Sequence, residues 1–337
     1  MEKLAVVSPK AMATVLPETM DVAVLGGAAV DWVAQVNALP RRDSIVLAHS
    51  YERFAGGSAA NVAVGLARLG YRTGFAGKLG DDEYGQWLLQ AFADDGVDTE
   101  TLLVEHRRRS ASCFIAVDDQ GERMIVAIPG ASLLEDVREL DVAYLERPRA
   151  LYIGPAYPEG AATAMDVLHK NGGTVFYAPS GAWGPDGLAG IRPLVEKSDV
   201  FLVSRAEAEA LVGPHSPGQA VQALHQAGAS IVIETLGREG AIVLATGRLT
   251  EVAAFPVSDA RDTTGAGDAF AAGLIAGFLA GLDWVAAARM GCAAAALKIR
   301  HIGARSGLPQ REEVQRLLAT ISPPATATIS HAKRELE

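Results

Sequence analysis

Short apolar runs alternate along the chain with longer stretches in which apolar positions recur every three or four residues. The runs at 22–25, 151–153, 175–177, 200–203, 231–234 and 241–244 are rich in Val, Ile and Leu. Runs of this length and composition read as strands buried on both faces, and 72–76 reads as another. Helical spacing marks 59–69, which stops at Gly70, and 82–94, with Asp81 or Asp82 at its N-cap and Gly96 beyond its end. It also marks 161–169, 206–212 and 220–227, and two Ala-rich helices at 269–280 and 284–300. Strand–helix alternation predicts an α/β protein with a mostly parallel central sheet flanked by helices. One region breaks the alternation. Segments 112–117 and 122–128 flank Asp118-Asp119-Gln120-Gly121 and read as a β-hairpin. With the polar stretch 40–53 it predicts a small separate sheet.

Composition narrows the class. Of 337 residues, 49% are hydrophobic and 21% charged, which excludes wholesale disorder and fits a soluble enzyme with a full core. Aromatic residues are scarce at 6% while glycines number 35, favouring tight turns and close backbone approaches over an aromatic binding platform. The net charge of −10 gives no nucleic-acid footprint, so an anionic ligand needs local devices: backbone N–H groups, a metal or a few arginines. Cys113 and Cys292 cannot build a disulfide framework and read as small buried hydrophobes. Residues 1–20 read as a loose leader without signal-peptide character, and 323–337 as a mobile tail. The uncharged run from 269 to 282 contains one helix and is too short to cross a bilayer, so the expected location is cytoplasmic, with no membrane partner.

Asp262-Thr263-Thr264-Gly265-Ala266-Gly267-Asp268 leads directly into an apolar helix. Glycines at a helix start leave backbone N–H groups free where the dipole is positive, which makes an anion site. Asp268 suits a capping position, but an acid beside a phosphate cradle repels phosphate unless it has a chemical task. Accepting a hydroxyl proton during phosphoryl transfer is such a task, and the helix terminus is expected to keep the acid ionised. The dinucleotide fingerprint fails here because Phe270 falls where a third glycine belongs, and it fails again at Gly26–Asp31. The chain holds no Walker A sequence. A second segment, Gly56-Gly57-Ser58-Ala59-Ala60-Asn61, sets two glycines before a helix and an amide one turn in.

Together these segments resemble the ribokinase-like (PfkB) carbohydrate kinases. Gly56–Gly70 is similar to the family's N-terminal signature and Asp262–Asp268 to its C-terminal one. The resemblance runs from about residue 22 to 309. It implies a ribokinase-like fold over 21–322, with a small β-sheet lid from segments 40–53 and 109–123. It implies ATP-dependent phosphoryl transfer to a hydroxymethyl group of a sugar, the alternatives being a nucleoside or a non-catalytic sensor on the same fold. Asp268 is then the base, and the N–H groups of Gly265, Ala266 and Gly267 the anion hole. Asp31, taken as the end of the first strand, grips substrate hydroxyls with Gly56, Gly57 and Asn61. Thr235, Gly237 and Gly240 form the nucleotide-side loop. Glu207 holds Mg²⁺ through water. Asp262, Thr264 and the carbonyls of 300–306 form a candidate monovalent-cation (K⁺) site, which the sequence leaves open, as it does a homodimer through the lid. The chain departs from the family pattern at Ser204, where Asn is usual, at Ala178, and at Ser58, where Lys is common. It also lacks the Glu that ribose-specific members carry near 154–157.

Overall fold

The computed structural model describes residues 20–120, 122–181 and 184–320. The expected leader (apart from Met20), Gly121 of the hairpin turn and the expected tail lie outside the described residues. The chain enters through β1 (Val22–Leu25), β2 (Ala29–Val36), β3 (Ala48–Gly56), α1 (Ser58–Arg68) and β4 (Thr73–Ala76). It continues through β5 (Lys78–Gly80), α2 (Glu83–Asp94), β6 (Leu103–Glu105), β7 (Ser112–Val117), β8 (Arg123–Ile128) and a single turn, α3 (Val142–Leu145). Alternation follows: β9 (Ala150–Ile153), α4 (Pro158–Lys170), β10 (Thr174–Tyr177), α5 (Leu188–Lys197), β11 (Val200–Ser204), α6 (Arg205–Val212), α7 (Pro217–Gln226) and β12 (Ile231–Thr235). The last elements are β13 (Gly240–Ala245), β14 (Arg248–Ala253), α8 (Ala266–Leu279), α9 (Trp284–Lys298) and α10 (Arg311–Thr320).

Eight strands make the central sheet in the order β14-β13-β12-β11-β10-β9-β1-β4. Pairing is parallel from β4 to β12 and antiparallel from β12 to β14. Both faces are covered, as apolar strands of this kind require. One face packs on α1, α2, α8 and α9 through Val62, Leu66, Phe92 and Leu274. The other packs on α4, α5 and α7 through Met165, Leu168, Leu194 and Leu224. Helix α8 has no polar side over most of its length and is buried from Ala269 to Gly277. Small residues let α9 lie directly against it: a Cβ on Gly277 would stand 2.7 Å from the Ala287 Cα. Among the described residues no helix is long and apolar enough to cross a membrane.

The hairpin appears as expected, as β7 and β8, but the small sheet is larger than the sequence suggests. Its order is β3-β2-β7-β8, with β2 antiparallel to β3 and parallel to β7. Asp31 therefore does not end the first strand. The Gly26–Ala28 turn carries the chain out of the central sheet, and Asp31 lies within β2, opposite Phe54 and Cys113. Of segment 40–53, only the part from Ala48 is strand. The sheet is anchored on α2, where Trp32 Nε1 donates to Tyr84 Oη at 3.1 Å and the Arg53 guanidinium lies 4.4 Å from the Trp87 ring centre.

Because α8 carries the Asp262–Asp268 segment into the site, its seating on α9 sets the position of Asp268. Gly277→Val should overpack this contact and lower stability by about 1–3 kcal/mol. Thermal unfolding checks this, and an unchanged Tm would mean that the helices can separate at no cost.

Candidate active site

Strands β1, β9, β10, β11 and β12 end on one edge of the sheet, the edge where open α/β sheets form their crevice. Helices α1 and α8 both begin there. The N-cap of α8, Gly265, has φ +79° in the left-handed region, and a Cβ there would stand 2.7 Å from the Ala304 carbonyl oxygen. Only glycine fits that turn. At Gly267 a Cβ would meet nothing within 4 Å, so this side of the helix start is open. The Ala266 N–H is turned inward and donates to the Thr263 carbonyl at 3.1 Å. Of the three amides expected to form an anion hole, that of Ala266 is therefore already engaged within the turn.

Asp268 is where the two helix starts meet. Its Oδ1 accepts from Ser58 Oγ and its Oδ2 from Asn61 Nδ2, both at 2.7 Å and both from α1. By surface area the residue is half-buried, but it lies deep within the protein. Burial pushes its carboxyl pKa up, while Asn61, Ser58, Lys298 and Arg305 draw it back. The helix terminus therefore does not hold Asp268 ionised unopposed, as the sequence suggests. A carboxyl raised in this way is a better base than an exposed one. Beside it the fully buried Tyr152 hydroxyl contacts Ser58 and Ser180 and feels both Asp268 and Glu207.

The expected substrate residues are brought together. Asp31 is 7% exposed and lies flat on Gly56, where an added Cβ would stand 2.0 Å from its Oδ2. Burial, opposed by Arg305 and reinforced by Asp268, pushes the Asp31 pKa up to about 6. Arg305, 5% exposed, ties the group together, with Nε donating to Asn61 Oδ1 at 3.0 Å and Nη2 to the Gly56 carbonyl at 2.8 Å. Its Nη1 is buried without a partner. Gly57 also closes on protein backbone, with the Gly27 carbonyl 2.6 Å from a Cβ position.

On the side expected to take the nucleotide, Thr235 ends β12 in register with Ser204, the end of β11. Gly237 is exposed and open, but Gly240 answers to the sheet: a Cβ there would stand 2.0 Å from the Val252 carbonyl. Glu207 Oε2 is occupied by the Ser204 N–H at 2.7 Å and the Ser204 hydroxyl at 2.8 Å, a capping box at the start of α6. Among the described residues no cluster of three or more His, Cys, Asp or Glu could cage a metal ion.

The expected monovalent-cation residues meet a different arrangement. The Asp262 carboxylate accepts from the Thr264 N–H and the Gly303 N–H, each at 2.8 Å. The Asp262 carbonyl accepts from the ammonium of Lys298 at 2.9 Å. A carbonyl bonded to an ammonium does not fit a K⁺ site. The Thr264 hydroxyl accepts from Arg123 Nη1 at 3.0 Å, a contact between the small sheet and the cradle segment. Sequence reasoning missed Arg305, Lys298 and Tyr152, and saw Ser58 only as a departure from a pattern. Nothing in local spacing marks Ser58 or Arg305, whose partners Asp268 and Asn61 lie more than 200 positions away, although a lone Lys ending the apolar helix α9 was a usable hint.

The sequence and the fold are both similar to those of known proteins. The model of the "pfkB family carbohydrate kinase" matches residues 19–311. A ribokinase from Haemophilus influenzae is 31% identical over 303 residues, covering 88% of this chain and 97% of the relative. A fructokinase from Escherichia coli is 31% identical over 261 residues, covering 73% and 83%. The crystal structure of a ribokinase from Thermotoga maritima superposes with a TM-score of 0.80 at 26% identity, covering 89% of this chain and 99% of the other.

The raised pKa of Asp31 has a stability consequence. Folding lifts the pKa from its ordinary 3.8 to about 6, so the ionised form is the destabilising one. Stability from this group is full below the ordinary value and is lost as pH rises through about 6. Asp31→Asn mimics the neutral carboxyl. It should raise the Tm of the ligand-free protein above pH 6, with the gain shrinking toward pH 4. A pH series of thermal melts measures this, and a gain that stays constant with pH would show that Asp31 is not strained by burial.

Proposed function

Because the chain belongs to the pfkB family of carbohydrate kinases, we propose that this crevice transfers the γ-phosphoryl group of ATP to a hydroxymethyl group of a free sugar. The observation that carries the reading is Asp268: a deep-set, half-exposed carboxylate, held by Ser58 and Asn61, one residue past Gly267 on the open side of the helix start. Both of its oxygens are engaged, but a carboxylate offers about four acceptor sites, so a substrate hydroxyl can still donate to it. Asp268 takes that proton as the hydroxyl oxygen attacks the γ-phosphorus. The Gly265 and Gly267 amides, on the positive end of α8, stabilise charge on the transferring group. Asp31 accepts hydrogen bonds from sugar hydroxyls, with Gly56, Gly57 and Asn61 forming the wall beside it. The nucleotide lies along Thr235 and Gly237, with Gly240 shaping the turn.

Mg²⁺ supplies charge neutralisation to the phosphates, and the residue that would hold it through water is Glu207. A structural neighbour from E. coli was solved with ATP and Mg²⁺, and one from Arabidopsis thaliana with ribose and ATP. Arg123 on Thr264 supports a lid role for the small sheet, closing water out of the crevice. Tyr51, Ile125 and Ile128 are exposed on that sheet and support a homodimer through it.

A nucleoside is the second reading. Phe54 lies opposite Asp31 across the β2–β3 pair, an aromatic ring beside the substrate acid. A nucleoside kinase from Burkholderia thailandensis, solved with inosine, has a similar fold. The free sugar is favoured because Asp31, Asn61 and Arg305 make the pocket polar.

Asp268→Asn should lower kcat by about 10²–10⁴ while ATP still binds in calorimetry. Near-normal turnover in that variant would remove Asp268 from the chemistry. Specificity is decided by kcat/KM for ribose, fructose, 2-keto-3-deoxygluconate, adenosine, inosine and cytidine measured together. A sugar should lead. A nucleoside ahead of every sugar by about tenfold, or 1.4 kcal/mol, would replace the first reading with the second.

A further inference from the structure

Lys298 ends α9 at 0% exposure, an unusual position for a lysine. Its ammonium donates to the Asp262 carbonyl at 2.9 Å and the His301 carbonyl at 3.4 Å. These two oxygens come from different segments: the turn that leads into the anion cradle, and the loop after α9. The same two segments are joined by the Asp262 carboxylate, which holds the Gly303 N–H at 2.8 Å. They also touch at Gly265, which faces the Ala304 carbonyl. A cation bound to carbonyls of both segments would clamp them together and set the Gly265 amide.

We propose that the Lys298 ammonium is that cation, built into the chain, and that this protein consequently works without a bound monovalent metal ion. An ammonium and K⁺ are close in size and both are satisfied by carbonyl oxygens. The tethered group needs no binding equilibrium, so it is present at every salt concentration. Asp262 and Asp268 both attract it and favour its charged form against the burial that pushes its pKa down. Its positive charge in turn acts on Asp268. Lys298 is thus a positioning residue. It touches no reacting atom, but it fixes the cradle and adds positive potential beneath it. Arg123 is the other cation facing it, from the small sheet.

The inference rests on reading 262–268 as the phosphate cradle, and its test separates the two. The protein is exchanged into about 0.1 M choline chloride and compared with KCl at the same ionic strength, so that screening is equal. Wild type should unfold at the same temperature in both salts, within about 1 °C, and its kcat with the best substrate should differ by less than about twofold. Lys298→Ala leaves room for an ion. In choline it should lose about tenfold or more in kcat, and K⁺ should restore several-fold of this and raise its Tm. Lys298→Met keeps the length without the charge, so it should lose activity with no K⁺ rescue. A purely structural lysine would give no ion-specific rescue. K⁺-specific stabilisation of wild type, or activation by more than about fivefold, would overturn the proposal. So would full activity of Lys298→Ala in choline. Absence of turnover with every sugar and nucleoside would fail the kinase reading alone, and the melting temperatures would still decide the cation.

Discussion

Two helix starts converge on one carboxylate, and the site depends on that meeting. Asp268 accepts from Ser58 and Asn61 of α1 while standing in the first turn of α8. Each helix is seated by apolar packing on the same face of the central sheet. The sheet's parallel strands bring both N-termini to its carboxyl edge, where amides and dipoles favour negative charge. Small residues between α8 and α9 let the two helices approach closely, and that approach fixes where Asp268 sits.

The charges gathered around this carboxylate are costly to bury. Asp31, Arg305 and Lys298 are all nearly or fully buried, beside the deep-set Asp268. Alternating signs limit the cost: Arg305 lowers both acids, and Lys298 lowers Asp268. Even so, both Asp31 and Asp268 remain above the ordinary carboxylate range. A fold that holds two acids in this condition gives up stability at neutral pH for a pocket poised to accept protons and hydroxyl hydrogen bonds.

Much of this was legible in the chain, for physical reasons. The central strands are short, apolar and bounded by turns, and β1, β9 to β13, α1 and α2 lie within a few residues of the expected positions. Asp268, Asn61 and Gly265 were legible because each stands at or just inside a helix start led by glycines, and the structure brings those two starts together. Strand β2 was not, because Ala29–Val36 alternates weakly and its pairing partners, Phe54 and Cys113, are remote in sequence. Arg305 and Lys298 escaped for a related reason. A buried cation is defined by the carbonyls and amides around it, and those come from α1, the 262–265 turn and the loop after α9. Glu207 shows the converse. Its position suggests a metal ligand, but one of its oxygens serves the helix cap.

In the reaction proposed for this crevice, phosphorus passes from ATP to a hydroxymethyl oxygen. Proton-coupled ³¹P spectra of the reaction mixture test it directly. With the preferred substrate and ATP, a phosphomonoester resonance split by the two protons of a CH₂–O–P group should grow in step with ADP. A resonance split by a single ring proton, or inorganic phosphate with no ester at all, would contradict it.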